Sequence, residues 1–173
     1  MKEVGLGALV ERTAAELLTV TDDDYVRTLK AYVNNVQALP DPSDELARRL
    51  GDARYSSGSV QRRLLVEAAA VVPSPKFVDA MCDILLAGTE HEVLERAVDV
   101  LIDCPSPRAI PALARALSYE LDYDPSHELG KKAIEALAEI GSEEALAHVR
   151  RCLSSSVPGL RAEAALQLDM DVE

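Results

Sequence analysis

Positive charge is scarce in this sequence: 18 lysines and arginines stand against 30 aspartates and glutamates, which gives a formal net charge of -12 at pH 7. A chain with this charge is repelled by a phosphate backbone and by an anionic membrane surface. We therefore expect neither a nucleic-acid-binding protein nor a membrane-bound one. A neutral or basic protein partner fits the charge better.

Long apolar segments are also missing. No stretch of the sequence is long enough to cross a bilayer, and Glu3 and Glu11 interrupt the first apolar segment, which therefore lacks the pattern of a signal peptide. The 173 residues are 48% hydrophobic and 28% charged, so the chain can bury the core of one domain. The composition predicts a soluble, cytoplasmic protein.

Residues with obvious chemistry are few. The three cysteines, Cys82, Cys104 and Cys152, lack the close spacing of a zinc site or a redox pair, so we interpret them as small buried hydrophobes. The glycines occur singly near helix ends, which excludes a glycine-rich phosphate-binding loop. His91 and His127 stand 36 residues apart beside glutamates and could be metal ligands, but acidic residues in a first helical turn are favourable by themselves. We predict no catalytic, cofactor-binding or metal site.

Short proline-containing segments interrupt the helical pattern at regular intervals. In DCPSPRAI, residues 103–110, Pro105 ends one helix because proline lacks a backbone N–H, while Pro107 suits the first turn of the next helix. We call such a segment a hinge. The hinges are centred on Pro40, Pro73, Pro105 and Gly141, at intervals of 33, 32 and 36 residues. This period is typical of stacked helical pairs.

The helices on the two sides of each hinge keep a constant apolar register. Small and apolar residues recur at equal distances from the hinge, which predicts antiparallel helices that pack closely. Before the hinge these are Leu65, Ala97 and Ala133, then Ala68, Val100 and Ala136; after it they are Val78, Ile110 and Leu146, then Met81, Leu113 and Val149.

The first 58 residues follow this alternation less regularly. Apolar spacing predicts one helix between Leu6 and Leu18, a second between Tyr25 and Val36, and a short third over 43–50. We predict a single domain, 1–173, in which 1–58 form a divergent N-terminal cap and first repeat and 59–173 form clearer repeats.

The most regular segment, LGKKAIEALAEIGSEEALAHVRRCLSSSVPGLRAEAALQL at 129–168, resembles the HEAT repeat family, particularly the short bacterial type also found in phycobilin lyase subunits. In that family the first helix of a repeat often opens with Asp-Pro and carries a Val-Arg pair. Here Asp124 and Pro125 match the opening, Arg62 and Arg161 match the arginine, and Leu94 and Gly130 replace it. The resemblance implies an all-α fold, a right-handed α-solenoid of stacked antiparallel helical hairpins with about ten helices.

The resemblance further implies a non-catalytic scaffold or adaptor, because such solenoids are mostly binding proteins. Two alternatives stay open: a subunit of a bilin lyase or related protein-modifying enzyme, and an acidic inhibitor or immunity protein for a basic toxin, whose association the negative charge would accelerate.

The predicted binding surface is the groove lined by the second helices. Arginine and tyrosine are the residue types that most often carry interface energy, and both occur here beside an inserted loop at 118–126. The predicted partner-binding residues are Asp83, Arg108, Arg115, Tyr119, Tyr123, His148 and Arg151. The last predicted helix, GLRAEAALQLDM, leaves apolar residues on more than one side, which suggests a homodimer or partner docking there. Those residues are Leu160, Ala164, Leu166 and Leu168.

Overall fold

The structure is a computed structural model that describes residues 5–52, 55, 58–89, 93–122 and 124–170. These residues form ten α-helices and contain no β-strand, so the all-α prediction is confirmed. The helices are α1 (Leu6–Leu17), α2 (Asp22–Gln37), α3 (Ser43–Leu50), α4 (Val60–Val71), α5 (Val78–Ala87), α6 (Leu94–Asp103), α7 (Ile110–Ala116), α8 (Glu128–Ile140), α9 (Glu143–Cys152) and α10 (Pro158–Gln167).

The contacts divide the chain into two compact units, Met1–Phe77 and Val78–Glu173. In the first unit α1 packs against α2 and α4, and α3 packs against α4. Tyr32 anchors this core: its ring is buried, and its hydroxyl donates a hydrogen bond of 2.8 Å to the carbonyl oxygen of Leu64. Burial, reinforced by the charge of Glu67, raises the pKa of Tyr32 well above its ordinary value. The phenol therefore stays neutral.

The second unit is a stack of helical pairs in two layers. The first helices of the repeats form one layer, in which α6 packs on α8 and α8 on α10. The second helices form the other layer, in which α5 packs on α7 and α7 contacts α9. This arrangement of stacked hairpins is that of an α-solenoid.

The hinges are built largely as the sequence predicts. At the hinge of residues 103–110, α6 ends at Asp103 and the chain turns at Pro105, but a 3-10 turn over Pro107–Ala109 precedes α7. Ser142 caps α9, because its hydroxyl accepts a hydrogen bond of 3.2 Å from the N–H of Ala145. Ser106 stands at the corresponding position before the 3-10 turn, but its side chain makes no capping hydrogen bond.

The arginine position of the repeat links helix ends. The guanidinium of Arg62 donates to the backbone carbonyl of Leu50, the last residue of α3, and that of Arg161 donates to the backbone carbonyl of Ser155, in the turn between α9 and α10. Gly130 stands at this position in α8 for a different reason. A Cβ there would lie 2.8 Å from Cδ2 of Leu160 on α10, so a side chain at this position would force the Leu160 side chain to shift.

The predicted core positions are buried where the helices meet, except for Leu146, which is half-buried. Ala97, Ala133 and Ala136 have no exposed surface, and neither do Met81 and Leu113 on the second helices. Small residues on the first helices thus allow the repeats to stack closely, as the register predicts.

Replacement of Ala136 tests this packing. Ala136→Asp places an unpaired charge in the contact between helices, and we expect a loss of at least about 3 kcal/mol in the free energy of unfolding. Ala31→Asp is the control, because Ala31 is exposed on α2. There the lower helix propensity of aspartate reduces the free energy of unfolding by less than about 1 kcal/mol. Thermal unfolding followed by circular dichroism measures both, and equal melting temperatures would show that the packed face is assigned wrongly.

Candidate functional site

The exposed side of α5, α7 and α9, with the 3-10 turn before α7, forms the candidate surface, which we call the second-helix face. Because α7 packs between α5 and α9, residues at equivalent repeat positions form a row across it. Asp83, Arg115 and Arg151 occupy one such row and are all exposed. The predicted residues Arg108 and His148 belong to the same face, and Tyr119 follows α7 directly.

Arg108 already forms an ion pair with Asp79. Its Nη1 lies 3.0 Å from Oδ1 of Asp79 on α5, so the 3-10 turn and α5 are joined by an ion pair across neighbouring repeats. The two side chains are 69% and 71% exposed, and a pair this exposed contributes at most about 1 kcal/mol to stability. Its main effect is to neutralise Arg108 locally.

Arg115 is held by an aromatic ring. Its guanidinium carbon lies 5.2 Å from the centre of the Tyr119 ring, within the range of a cation–π interaction. Arg115 itself is exposed, whereas Tyr119 is half-buried. The ring therefore supports the guanidinium from the protein side and leaves its outer edge accessible.

Tyr119 is in turn fixed to α5. Its hydroxyl donates a hydrogen bond to the carbonyl oxygen of Leu85 in the last turn of that helix. The ring lies over Gly88, which has a positive φ of 63°, and a Cβ at Gly88 would approach the ring carbon Cζ to 2.8 Å. Tyr119 thus acts as a positioning residue for Arg115. Gly88 was not predicted as part of this site, although its position directly after a predicted helix was a signal in the sequence.

Arg151 differs from its neighbour in sequence. Arg150 pairs with Glu143 at 2.6 Å on the same helix, whereas the side chain of Arg151 is exposed and forms no ion pair or hydrogen bond with the described part of the chain. Arg115 likewise lacks a carboxylate partner there. The row therefore presents two adjacent arginines whose charge no described carboxylate neutralises.

The inserted loop beside this face is anchored at its far end. Asp124 is buried, and its carboxylate accepts hydrogen bonds of 2.8 and 3.0 Å from the N–H groups of Glu128 and Leu129. These hydrogen bonds satisfy free backbone N–H groups in the first turn of α8. The negative charge of Asp124 also interacts favourably with the positive end of the helix dipole. The predicted site residue Tyr123 lies outside the described residues.

The second predicted surface, on α10, is only partly exposed. Leu160 and Ala164 pack inward with 5% and 0% exposure, and Leu168 just after the helix is half-buried. Leu166 is 66% exposed, and Met170 beyond the helix is 51% exposed. The exposed side of α10 therefore carries large apolar residues near its carboxyl end.

The buried thiols have the properties of core residues. Burial raises the pKa of Cys104 and Cys152, and burial together with Asp79 and Asp83 raises that of Cys82 to about 11. Over the described ranges, no group of three or more histidine, cysteine, aspartate or glutamate side chains could hold a metal ion. No described helix is long and apolar enough to cross a membrane.

Comparison with known proteins gives one match. A family model described as HEAT repeats matches residues 78–169, which cover α5 to α10 and the whole second-helix face. No curated protein and no solved structure matches the chain.

Substitution of Gly88 tests the support beneath Arg115. Gly88→Ala should cost about 1–2 kcal/mol for the left-handed backbone and a further ~1 kcal/mol or more because Tyr119 must move. Gly141→Ala is the matched control: its φ is 65°, but a Cβ there meets only backbone oxygens at 3.6 and 4.0 Å. Urea unfolding measures the loss in free energy of unfolding for each variant. When Tyr119→Ala is also present, Gly88→Ala and Gly141→Ala should cause equal losses. Equal losses in the parent chain would contradict the contact.

Proposed function

The chain belongs to the HEAT repeat family, and we propose that it is a non-catalytic scaffold or adaptor that binds a partner protein through the second-helix face. Stacked helical repeats provide extended surfaces of this kind. The observation that supports the choice of face is the pair formed by Arg115 and Arg151, which have no carboxylate partner among the described residues of a strongly acidic chain.

Among the described residues, the cations of the opposite layer of the second unit are engaged within the chain, and Arg161 of α10 donates to the carbonyl oxygen of Ser155. On the first helices, Lys132 of α8 lies 3.4 Å from Glu95 and 2.8 Å from Asp99 of α6, and Arg96 is paired with Asp99 at 3.1 Å. Lys131 is paired with Glu128 at 2.7 Å. These cations neutralise carboxylates of the same surface. An arginine that retains its full set of donors is better suited to bind another molecule, which favours the second-helix face.

The net charge acts on a different length scale. At physiological salt, charges separated by more than about 8 Å are largely screened from one another. The net charge of -12 therefore affects how a partner approaches the chain, whereas the contacts in the complex depend on the charges within that distance. A partner that is neutral or basic overall approaches readily, and the arginine row then sets the local contact.

Charge reversal on the second-helix face tests the proposal. We expect Arg115→Glu with Arg151→Glu to weaken partner binding by about 1–2 kcal/mol, the usual scale for an interface arginine, with little change in melting temperature. The matched control is Arg12→Glu with Lys30→Glu, which changes the net charge equally at two exposed positions of α1 and α2. Quantitative capture from native extract with the three baits measures the effect. A partner retained equally by all three would place the site elsewhere.

We also propose that two copies of the chain associate through α10. Its exposed side carries Pro158, Ala162 and Leu166 at four-residue intervals, which places them along one stripe, and the exposed Met170 follows the helix. In an antiparallel pair about a twofold axis, the large Leu166 of one copy would oppose the small Ala162 of the other. Such a stripe is therefore complementary to itself, as an isologous interface requires.

A single charge should abolish this association. We expect light scattering to report a dimer for the parent chain and a monomer for Leu166→Glu, because the carboxylate would have to be buried without a partner. Leu18→Glu is the control, since Leu18 is 73% exposed just after α1 and its replacement should leave the dimer intact. A monomeric parent chain at concentrations of about 100 μM would contradict the dimer.

A further inference from the structure

We propose that the segment of the partner that docks on the second-helix face is acidic and presents two carboxylates, which Arg115 and Arg151 bind one each. This inference rests on the proposed function and adds the chemical class of the bound segment. It predicts that a partner of neutral or basic overall charge carries a local acidic motif.

Arg115 is organised for such a contact before the partner arrives. The Tyr119 ring covers one side of its guanidinium, and the ring is itself held by the carbonyl oxygen of Leu85. The donors at the edge of the guanidinium stay available, and their fork geometry matches the two oxygens of a carboxylate. Because the side chain is already restricted, less conformational entropy is lost on binding.

Four residues before and three residues after each arginine, the exposed side carries uncharged residues. One turn before them on the exposed side lie Pro111 and Ala147, at equivalent positions of α7 and α9, and three residues after them lie Ser118 and Ser154. A bound carboxylate therefore meets no opposing carboxylate at these positions. Exposed acidic residues bound the patch: Asp83 on α5 is the next member of the row beyond Arg115, Glu120 follows Tyr119, and Glu144 lies two turns before Arg151.

The separation of the two arginines sets the spacing of the motif. Packed helices such as α7 and α9 lie roughly 8–10 Å apart, so the two arginine anchors are separated by about that distance. In a polyproline II segment, residues three apart lie about 9 Å apart on one side. In an α-helix, residues seven apart lie about 10.5 Å apart on one side. We therefore expect the acidic residues at i and i+3 or at i and i+7.

The experiment uses a display library of random twelve-residue peptides selected on the full chain. Enriched peptides should carry two acidic residues three or seven apart. A resynthesised peptide should lose at least tenfold in affinity when either carboxylate is changed to an amide, and also on Arg115→Gln or Arg151→Gln. Arg12→Gln, at an exposed position of α1, should leave the affinity unchanged. Selection of peptides without acidic pairs, or of no peptides, overturns the inference.

A steric variant separates failure of this inference from failure of the proposed function. Ser118→Trp with Ser154→Trp obstructs the second-helix face at two exposed positions and leaves the charge unaltered. Non-acidic peptides whose binding is lost in this variant would overturn the acidic motif and keep the face as the binding surface. Peptides that bind the variant unchanged would overturn both.

Discussion

Close packing of helices at small residues is the constraint on which the second unit depends. Ala97, Ala133 and Ala136 are fully buried in the first-helix layer, and a side chain at Gly130 would force that of Leu160 on α10 to shift. Because this contact repeats from hairpin to hairpin, equivalent residues of successive repeats lie side by side. The rows of the second-helix face are therefore a consequence of the core, although no core residue takes part in them.

The first-helix and second-helix layers of the second unit differ in how their cations are paired with carboxylates. Lys132 joins α6 to α8 through Glu95 and Asp99, so the first-helix side contains cations that stabilise the stack itself. The second-helix side has one such link, between Arg108 and Asp79, and then two arginines without a carboxylate among the residues that the structure describes. This difference in charge pairing is the basis for the proposal that the second layer binds a partner.

Much of the fold could be predicted because its signals are local. The proline hinges and apolar spacing located the helices closely, and α3 extends from Ser43 to Leu50 as expected. The contacts that organise the site could not be predicted in this way. Tyr119 bonds to Leu85, which is 34 residues earlier, and the pairing of Arg108 with Asp79 spans 29 residues. Such contacts depend on the angle between packed repeats, which sequence spacing does not specify.

The two arginines of the row consequently have different physical roles. Arg115 is supported by Tyr119, so in the proposed site its guanidinium would meet a carboxylate in a restricted position, with little loss of conformational entropy. Arg151 has no such support within the described ranges, so it can adjust to the ligand but loses more rotamer freedom on binding. A site that combines one fixed and one adaptable arginine can select the position of a first carboxylate strictly and tolerate variation in the second.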